Sequence, residues 1–282
     1  MRVLLPFALL FLPFLLALEN DHRGVPCGNE PLDIPAVGQE AEAGDPTAQY
    51  LLGMHYAFGI QNDNDEELTQ SVYWFRKSAE QGYSEAEYRL GQAYASGRGV
   101  RNDSKAAFYW FRRAAQNGAV NAQFWLGLMY ENGRGVKRNR QQSLKWFLKA
   151  AKQSISDAQV RLGQAYEDGD GVPQDYAQAA EWYRKAAEHV PDYGGAGQGR
   201  NDLGLLYLDG LGIPQDYVEA YKWFTLAGVT RNMDEAANRM TQDQVAEAQR
   251  RAKAWAKDHP IPVKDCLSSA SNSPIPNSRL AH

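Results

Sequence analysis

The sequence predicts an all-α chain, a right-handed α/α solenoid of about five helix-turn-helix units closed by a C-terminal capping helix. Three observations carry that expectation. Trp74, Trp110, Trp146, Trp182 and Trp223 follow one another at steps of 36, 36, 36 and 41 residues. Leu-Gly pairs ending in Gly53, Gly91, Gly127, Gly163 and Gly204 run beside them, each followed three residues later by a tyrosine (Tyr56, Tyr94, Tyr130, Tyr166 and Tyr207). Glycine-bearing turns such as SGRGV and NGRGV recur in the same register. A fixed period of this size marks stacked two-helix units, since one unit cannot bury its apolar face without a neighbour. The five tryptophans and the five Leu-Gly glycines are therefore expected to be structural.

Residues 1–18 differ from all that follows. Arg2 precedes an apolar run, Val3 to Leu18, interrupted by Pro6 and Pro13. The run is short for a membrane span and suits a signal peptide, so an exported protein with no span after cleavage is expected. Ala17 with Leu15 two residues before it fits a cleavage site poorly, which keeps an uncleaved anchor as the alternative. Residues 19–44 form a tail with a half-unit from Ile34 to Gly44. Unit 1 covers 45–83 and carries an acidic loop, QNDNDEE.

Unit 2, residues 84–119, shows the pattern at its clearest. Ser84 reads as an N-cap, and Ala86, Leu90, Gly91 and Tyr94 share one helical face. Gly97 and Gly99 break the helix, since glycine accepts the left-handed backbone of a C-cap. Asp103 caps the second helix, whose apolar stripe includes Trp110 and Phe111, and Gly118 stops it. The glycine of each Leu-Gly pair is expected to let the paired helix approach, with the tryptophan covering the gap.

Unit 3 (120–155) repeats this with Gly133 and Gly135. Unit 4 (156–198) does so with Gly169, Gly171 and the cap Asp175, and adds a Gly-rich insertion, VPDYGGAGQGR, expected as a loop or a lengthened helix junction. Unit 5 (199–231) uses Gly210, Gly212 and Asp216. In 232–259 a short helix is expected over Asp234 to Met240. A longer one then opens with Thr241 and Gln244 in capping-box spacing and an apolar line of Val245, Ala248, Ala252 and Trp255. It would cover the apolar side of the last unit. Residues 260–282, rich in proline and serine, read as a disordered tail.

The units resemble the Sel-one-like repeat (SLR) family. Unit 2 reads AEYRLGQAYASGRGV then AAFYWFRRAAQNG, and unit 4 reads AQVRLGQAYEDGDGV then AQAAEWYRKAAEH. The resemblance covers about residues 45–230, and MTQDQVAEAQRRAKAW is similar to the closing helix of bacterial members. It implies that the first helix of each unit lines a concave groove. The inward positions are then Tyr50, Tyr88, Phe124, Val160 and Asn201, and, four residues on, Met54, Gln92, Leu128, Gln164 and Leu205. Trp125 stands where other units have leucine, arginine or aspartate. It reads either as a partner anchor or as packing on the adjacent unit. Such a groove suits an apolar peptide segment with aromatic anchors. Cysteine-rich relatives bridge each repeat, and some are described as penicillin-binding. No cysteine lies inside a repeat here, so neither property is carried over.

Chemistry is not expected. The chain has no S-x-x-K, G-x-S-x-G or H-E-x-x-H motif, and its glycine pairs do turn duty. No catalytic residue, metal site or cofactor is assigned. Net charge is −4 and no block of Lys or Arg stands out, which argues against nucleic acid. Arg76, Lys77, Arg112, Arg113, Lys149, Arg184 and Lys185 follow the tryptophans as a solvated face or, alternatively, a weak anion-binding stripe. Cys27 and Cys266 flank the repeats and could form a disulfide, bridge two chains, or stay free. The expected function is a non-enzymatic scaffold, adaptor or regulator of the bacterial envelope, most simply in the periplasm, that binds a protein or peptide. The alternatives are a secreted factor contacting host proteins and a cell-wall, penicillin-binding or hydrolase-like activity.

Overall fold

The computed structural model describes residues 33–58, 65–189 and 194–260. The expected signal peptide, Cys27, Cys266 and the C-terminal tail lie outside the described residues. Thirteen α-helices and no strand occur among those described. In order they are α1 (Ile34–Glu42), α2 (Pro46–Phe58), α3 (Asp65–Glu80), α4 (Ser84–Ser96), α5 (Ser104–Gln116), α6 (Val120–Asn132), α7 (Arg140–Ala151), α8 (Ser156–Asp168), α9 (Tyr176–Ala187), α10 (Ala196–Asp209), α11 (Tyr217–Ala227), α12 (Thr230–Ala237) and α13 (Gln242–Asp258). From α1 to α12, each helix packs chiefly on the one before and the one after, except that 59–64 and 190–193 are not described. That contact pattern is a solenoid. In addition α8 meets α10, which puts the first helices of units 4 and 5 on the inside of the curve.

Two different devices start the helices. The second helices α5, α7, α9 and α11 begin behind side-chain caps. Asp103, Asn139, Asp175 and Asp216 each accept from backbone N–H groups of the first turn. The backbone N–H of each cap donates in turn to the carbonyl of Tyr94, Tyr130, Tyr166 or Tyr207, at 2.8–3.0 Å. Tyr94, Tyr130, Tyr166 and Tyr207 thus each close their own turn. The first helices α4, α6 and α8 have no side-chain cap. Ser84 is not the N-cap but the first helical residue, and its hydroxyl bonds Glu85. Tyr83, Ala119 and Ile155 stand at the cap position instead. Their N–H groups donate back to Ser78, Ala114 and Ala150, and their side chains join the apolar clusters.

The glycine of each Leu-Gly pair does admit a close helix, but not under the tryptophan. A Cβ built on Gly53, Gly91, Gly127, Gly163 or Gly204 would stand 2.4–2.7 Å from a ring atom of Phe75, Phe111, Phe147, Tyr183 or Phe224 respectively. Those rings, each one residue past its tryptophan, are the deepest aromatics of units 2 to 5, and in unit 1 Phe75 is buried alongside Tyr50. Trp74 and Trp223 are buried as well, whereas Trp110, Trp146 and Trp182 are only half-buried. In unit 4 the buried ring is a tyrosine. Its hydroxyl donates to Glu167 Oε2 at 2.6 Å, and burial together with that carboxylate pushes the phenol well above its ordinary range.

The ends depart from expectation in register only. The short helix α12 starts at Thr230 and stops at Ala237, so the stretch to Met240 belongs to the turn before α13. Of the unit-4 insertion, Ala196–Arg200 is helical and lengthens α10. Both halves of the Thr241–Gln244 capping box form. α13 packs on α11, burying Ala248 and Ala252 and setting Trp255 edge-on to Trp223 at 5.9 Å.

A polar ladder ties the units together. Three residues before each Leu-Gly leucine stand Gln49, Glu87, Gln123, Gln159 and Arg200, all buried. Gln49 donates to Ala41 O, Gln159 to Ala151 O and Arg200 to Ala187 O, the carbonyls that end the preceding helix. Glu87 as a carboxylate has no proton to donate, and Arg113 donates to the carbonyl of Ala79 in its place. Asn117 donates to Glu87 Oε2 at 2.9 Å. The ion pair from Arg113 to Glu87 Oε1, 2.9 Å long, lacks hydrogen-bonding geometry. Burial therefore outweighs its partners and raises the Glu87 carboxyl above the usual carboxylate range. A raised folded-state value means the fold is favoured with Glu87 protonated and loses stability as pH rises through that value. Glu87→Gln is accordingly expected to raise the melting temperature at about pH 7.5, with the gain vanishing near about pH 4. A gain that persists undiminished into acid would show that ionisation is not its cause.

Candidate functional site

The inner helices carry the expected groove positions, and the structure divides them into two sets. Tyr50, Met54, Tyr88 and Gln92 are buried, at 2–7% exposure. Tyr50 packs on Phe75 and Tyr83, and Tyr88 packs on Phe111. In unit 4 Val160 is buried as well. Phe124, Trp125 and Leu128 of α6 remain partly exposed, as do Gln164, Asn201 and Leu205. Phe124, Trp125 and Leu128 thus form an apolar ledge on unit 3, with Leu205 standing apart on unit 5.

The ledge is held from below by aromatic and polar contacts. Trp125 stacks on Phe111 of unit 2, with 5.9 Å between centroids and 9° between planes. Its Nε1–H donates to Tyr88 Oη at 3.2 Å. The same hydroxyl accepts from Gln92 Nε2 at 2.8 Å, and Gln92 Oε1 accepts from Arg89 Nη1. Phe124 meets Trp125 edge-on and leans on Phe147. Trp125 therefore packs on the adjacent unit while leaving part of its ring open. Tyr88 and Gln92, expected as surface contacts, position that indole instead. Arg89 was not among the expected site residues. It is buried although it carries a charge, and no feature of its sequence position sets it apart from the half-buried Arg161 of unit 4.

Six of the seven cations that follow the tryptophans, all but the exposed Arg112, have a structural use. Lys77, Arg113, Lys149 and Lys185 lie over the rings of Trp74, Trp110, Trp146 and Trp182, at 4.2–5.6 Å from the centroids. This is cation–π geometry. Arg76 and Arg184 donate to the hydroxyls of Tyr94 and Tyr207 in the next unit. Among the described residues no group of three or more His, Cys, Asp or Glu is placed to hold a metal ion.

The repeat period finds its counterpart in one known family. The Sel1 repeat matches residues 46–83, 84–118, 120–155, 156–189 and 198–228. The chain belongs to the Sel1 repeat family. Sel1-repeat proteins are protein-interaction scaffolds and are generally non-enzymatic. A solved structure of c5321, a protective antigen present in uropathogenic Escherichia coli strains and displaying an SLR fold, is 35% identical with a TM-score of 0.68. The match covers 81% of this chain and 52% of that one. A Sel1 repeat protein from Oxalobacter formigenes is 25% identical with a TM-score of 0.59, over 71% of this chain and 84% of that one. Among curated relatives, HRD3A of Arabidopsis thaliana, an ERAD-associated E3 ubiquitin-protein ligase component, is 35% identical over 72 residues. Human wolframin is 34% identical over 87 residues. These matches take in 26% and 30% of this Sel1-repeat chain, and the chain spans about a tenth of the length of each curated relative. Among the described residues of the Sel1-repeat chain, no helix is long and apolar enough to cross a membrane.

Proposed function

We propose that this Sel1-repeat chain is a non-enzymatic adaptor or regulator of the bacterial envelope, exported and most simply periplasmic, that seats a partner polypeptide on its inner face. The observation that supports this reading is Trp125. It is a tryptophan the repeat pattern does not require, stacked on one side, held at Nε1, and partly open on the other. A rigid, pre-positioned aromatic loses little entropy on binding, which is why tryptophan is frequent among binding hot spots. Phe124 and Leu128 extend the ledge. HRD3A is named as an E3 ubiquitin-protein ligase component, which agrees with an assembly role for such repeats.

Affinity capture from an envelope extract with native chain and with Trp125→Ala, each verified as helical and cooperatively folding, tests the reading. The partner is expected to be held by the native chain and lost by the variant, with a loss of about 2 kcal/mol or more in the affinity then measured. Equal capture by both would move binding off this ledge.

A second reading, a factor released to contact host proteins, is favoured by the likeness to c5321, itself a protective antigen. Fractionation separates the two. Protein recovered from the culture medium rather than the cells supports release.

A further inference from the structure

Along one edge of the solenoid, where first helices end and second helices begin, the turns of units 2 to 5 stand in a row. Backbone contact fixes the turns of units 2, 3 and 5, while that of unit 4 meets the side chains of Arg140 and Leu144 at Gly171. A Cβ on Gly99 would fall 2.1 Å from Leu68 O, one on Gly135 2.0 Å from Ser104 O, and one on Gly212 2.3 Å from the Tyr176 carbonyl carbon. Each of these turns rests on the start of the second helix of the unit before it.

Charge divides the row. The turns of units 2 and 3 read GRGVRNDSK and GRGVKRNRQ, those of units 4 and 5 GDGVPQDYA and GLGIPQDYV. Arg101, Lys105, Lys137 and Arg138 are exposed in the first pair. The single acid there, Asp103, is engaged in capping α5. The second pair has no Lys or Arg. All four turns nevertheless share one geometry. Each starts with a left-handed glycine (Gly97, Gly133, Gly169, Gly210; φ 68–79°) and ends with an Asp or Asn cap bonded to the tyrosine carbonyl. Arg140 of unit 3 serves the fold, reaching Glu131 and Asp170, but the shared turn geometry does not call for Arg101, Lys105, Lys137 or Arg138, in a chain whose net charge is −4. Between those two turns lies a shallow depression whose lining includes Tyr94, Val100, Arg101, Lys105 and Gly135. Leu128 of the ledge stands one helical turn, about 6 Å, before the end of α6, from which the turn of unit 3 leads off.

The geometry points to an acidic stretch of the partner polypeptide as the ligand of this basic edge, lying next to the apolar segment seated on Phe124, Trp125 and Leu128. The inference rests on the inner-face reading and specifies its partner as a chain with Asp/Glu residues beside an apolar segment. Exposed Lys and Arg attract such a segment over roughly 10 Å at low ionic strength, and the attraction is screened by salt.

Fluorescence anisotropy tests this with the full chain and two labelled peptides of about twelve residues, each a Leu/Phe segment followed either by a Glu/Asp run or by the matched Gln/Asn run. Native protein is expected to bind the acidic peptide about tenfold or more tighter at about 50 mM salt, with the preference fading by about 300 mM. Lys105→Glu/Lys137→Glu/Arg138→Glu should abolish the preference, and the corresponding triple Gln variant should reduce it. These side chains are exposed, so melting curves are expected to match the native one. Trp125→Ala should weaken both peptides alike and keep the preference. Equal binding of the two peptides by native protein, or a preference that survives the triple reversal, overturns the edge. Tighter binding to phosphatidylglycerol vesicles than to either peptide also overturns it, in favour of a lipid surface. Loss of preference in the triple reversal with no effect of Trp125→Ala keeps the edge and removes the ledge.

Discussion

Phe147→Ala is expected to lower the free energy of unfolding by about 3–5 kcal/mol, and Trp146→Ala by clearly less, about 1–2 kcal/mol. The two residues are neighbours in sequence but not in environment. The Phe147 ring is fully buried, lies where a Cβ on Gly127 would be, and supports Phe124 from below. Deleting it leaves a cavity at the meeting of α6 and α7, between Gly127 and Phe124. Trp146 is half-buried, with Lys149 over its outer face at 4.2 Å, so water and that lysine can take over part of its surface. Urea denaturation of both variants checks the order. Each unit contacts chiefly its neighbours, so Phe147→Ala is also expected to lower the m-value as the two halves begin to unfold separately. Equal losses for the two variants would return the tryptophan to the central place that its periodicity suggests.

That misplacement shows what a period can and cannot convey. Steps of 36 residues establish the unit, and Asp103, Asp175, Asp216 and Thr241 are legible as caps because capping is local chemistry within four residues. The column Phe75, Phe111, Phe147, Tyr183 and Phe224 is as periodic as the tryptophans beside it. Choosing between adjacent columns means knowing which faces the partner helix, and one residue is about 100° of rotation on a helix. The glycine contact that decides it is made across two helices. The same holds for the candidate site. Tyr50 and Tyr88 occupy the expected inner positions, yet curvature and stacking cover them, while the otherwise equivalent Phe124 stays partly open. Trp125 was legible because it breaks the pattern of its column. Its support by Tyr88, Gln92 and Arg89 was not, since that network joins residues 37 positions apart. The charges of the turns could be read in the letters, but their alignment on one edge could not, because it depends on backbone contacts at Gly99 and Gly135.

Those contacts imply the second large effect. Gly133→Ala and Gly135→Ala alter two glycines of one turn with the same φ, +68°. Both place an L side chain in the left-handed region, at about 1–2 kcal/mol. At Gly133 the added methyl meets Arg138 at 3.4 Å, a distance that small adjustments accommodate. At Gly135 it would stand 2.0 Å from the carbonyl oxygen of Ser104 and 2.5 Å from its carbonyl carbon. Backbone at the start of α5 cannot rotate aside as a side chain can, and Asp103 holds it through two N–H groups. Unit 3 must therefore lift away from unit 2. Gly135→Ala is expected to cost at least about 3 kcal/mol, the left-handed penalty plus the lost junction. Hydrogen exchange localises the damage, with amides of Lys105 and Ala106 predicted to exchange faster in Gly135→Ala and to stay protected in Gly133→Ala. The peptide preference of the basic edge should fall in parallel, because Arg101 and Lys105 on one turn and Lys137 and Arg138 on the next act together only while the turns are in contact. Equal costs at the two glycines would mean that the turns are spaced by their helices alone, and the edge would then be a looser surface than a single acidic segment requires.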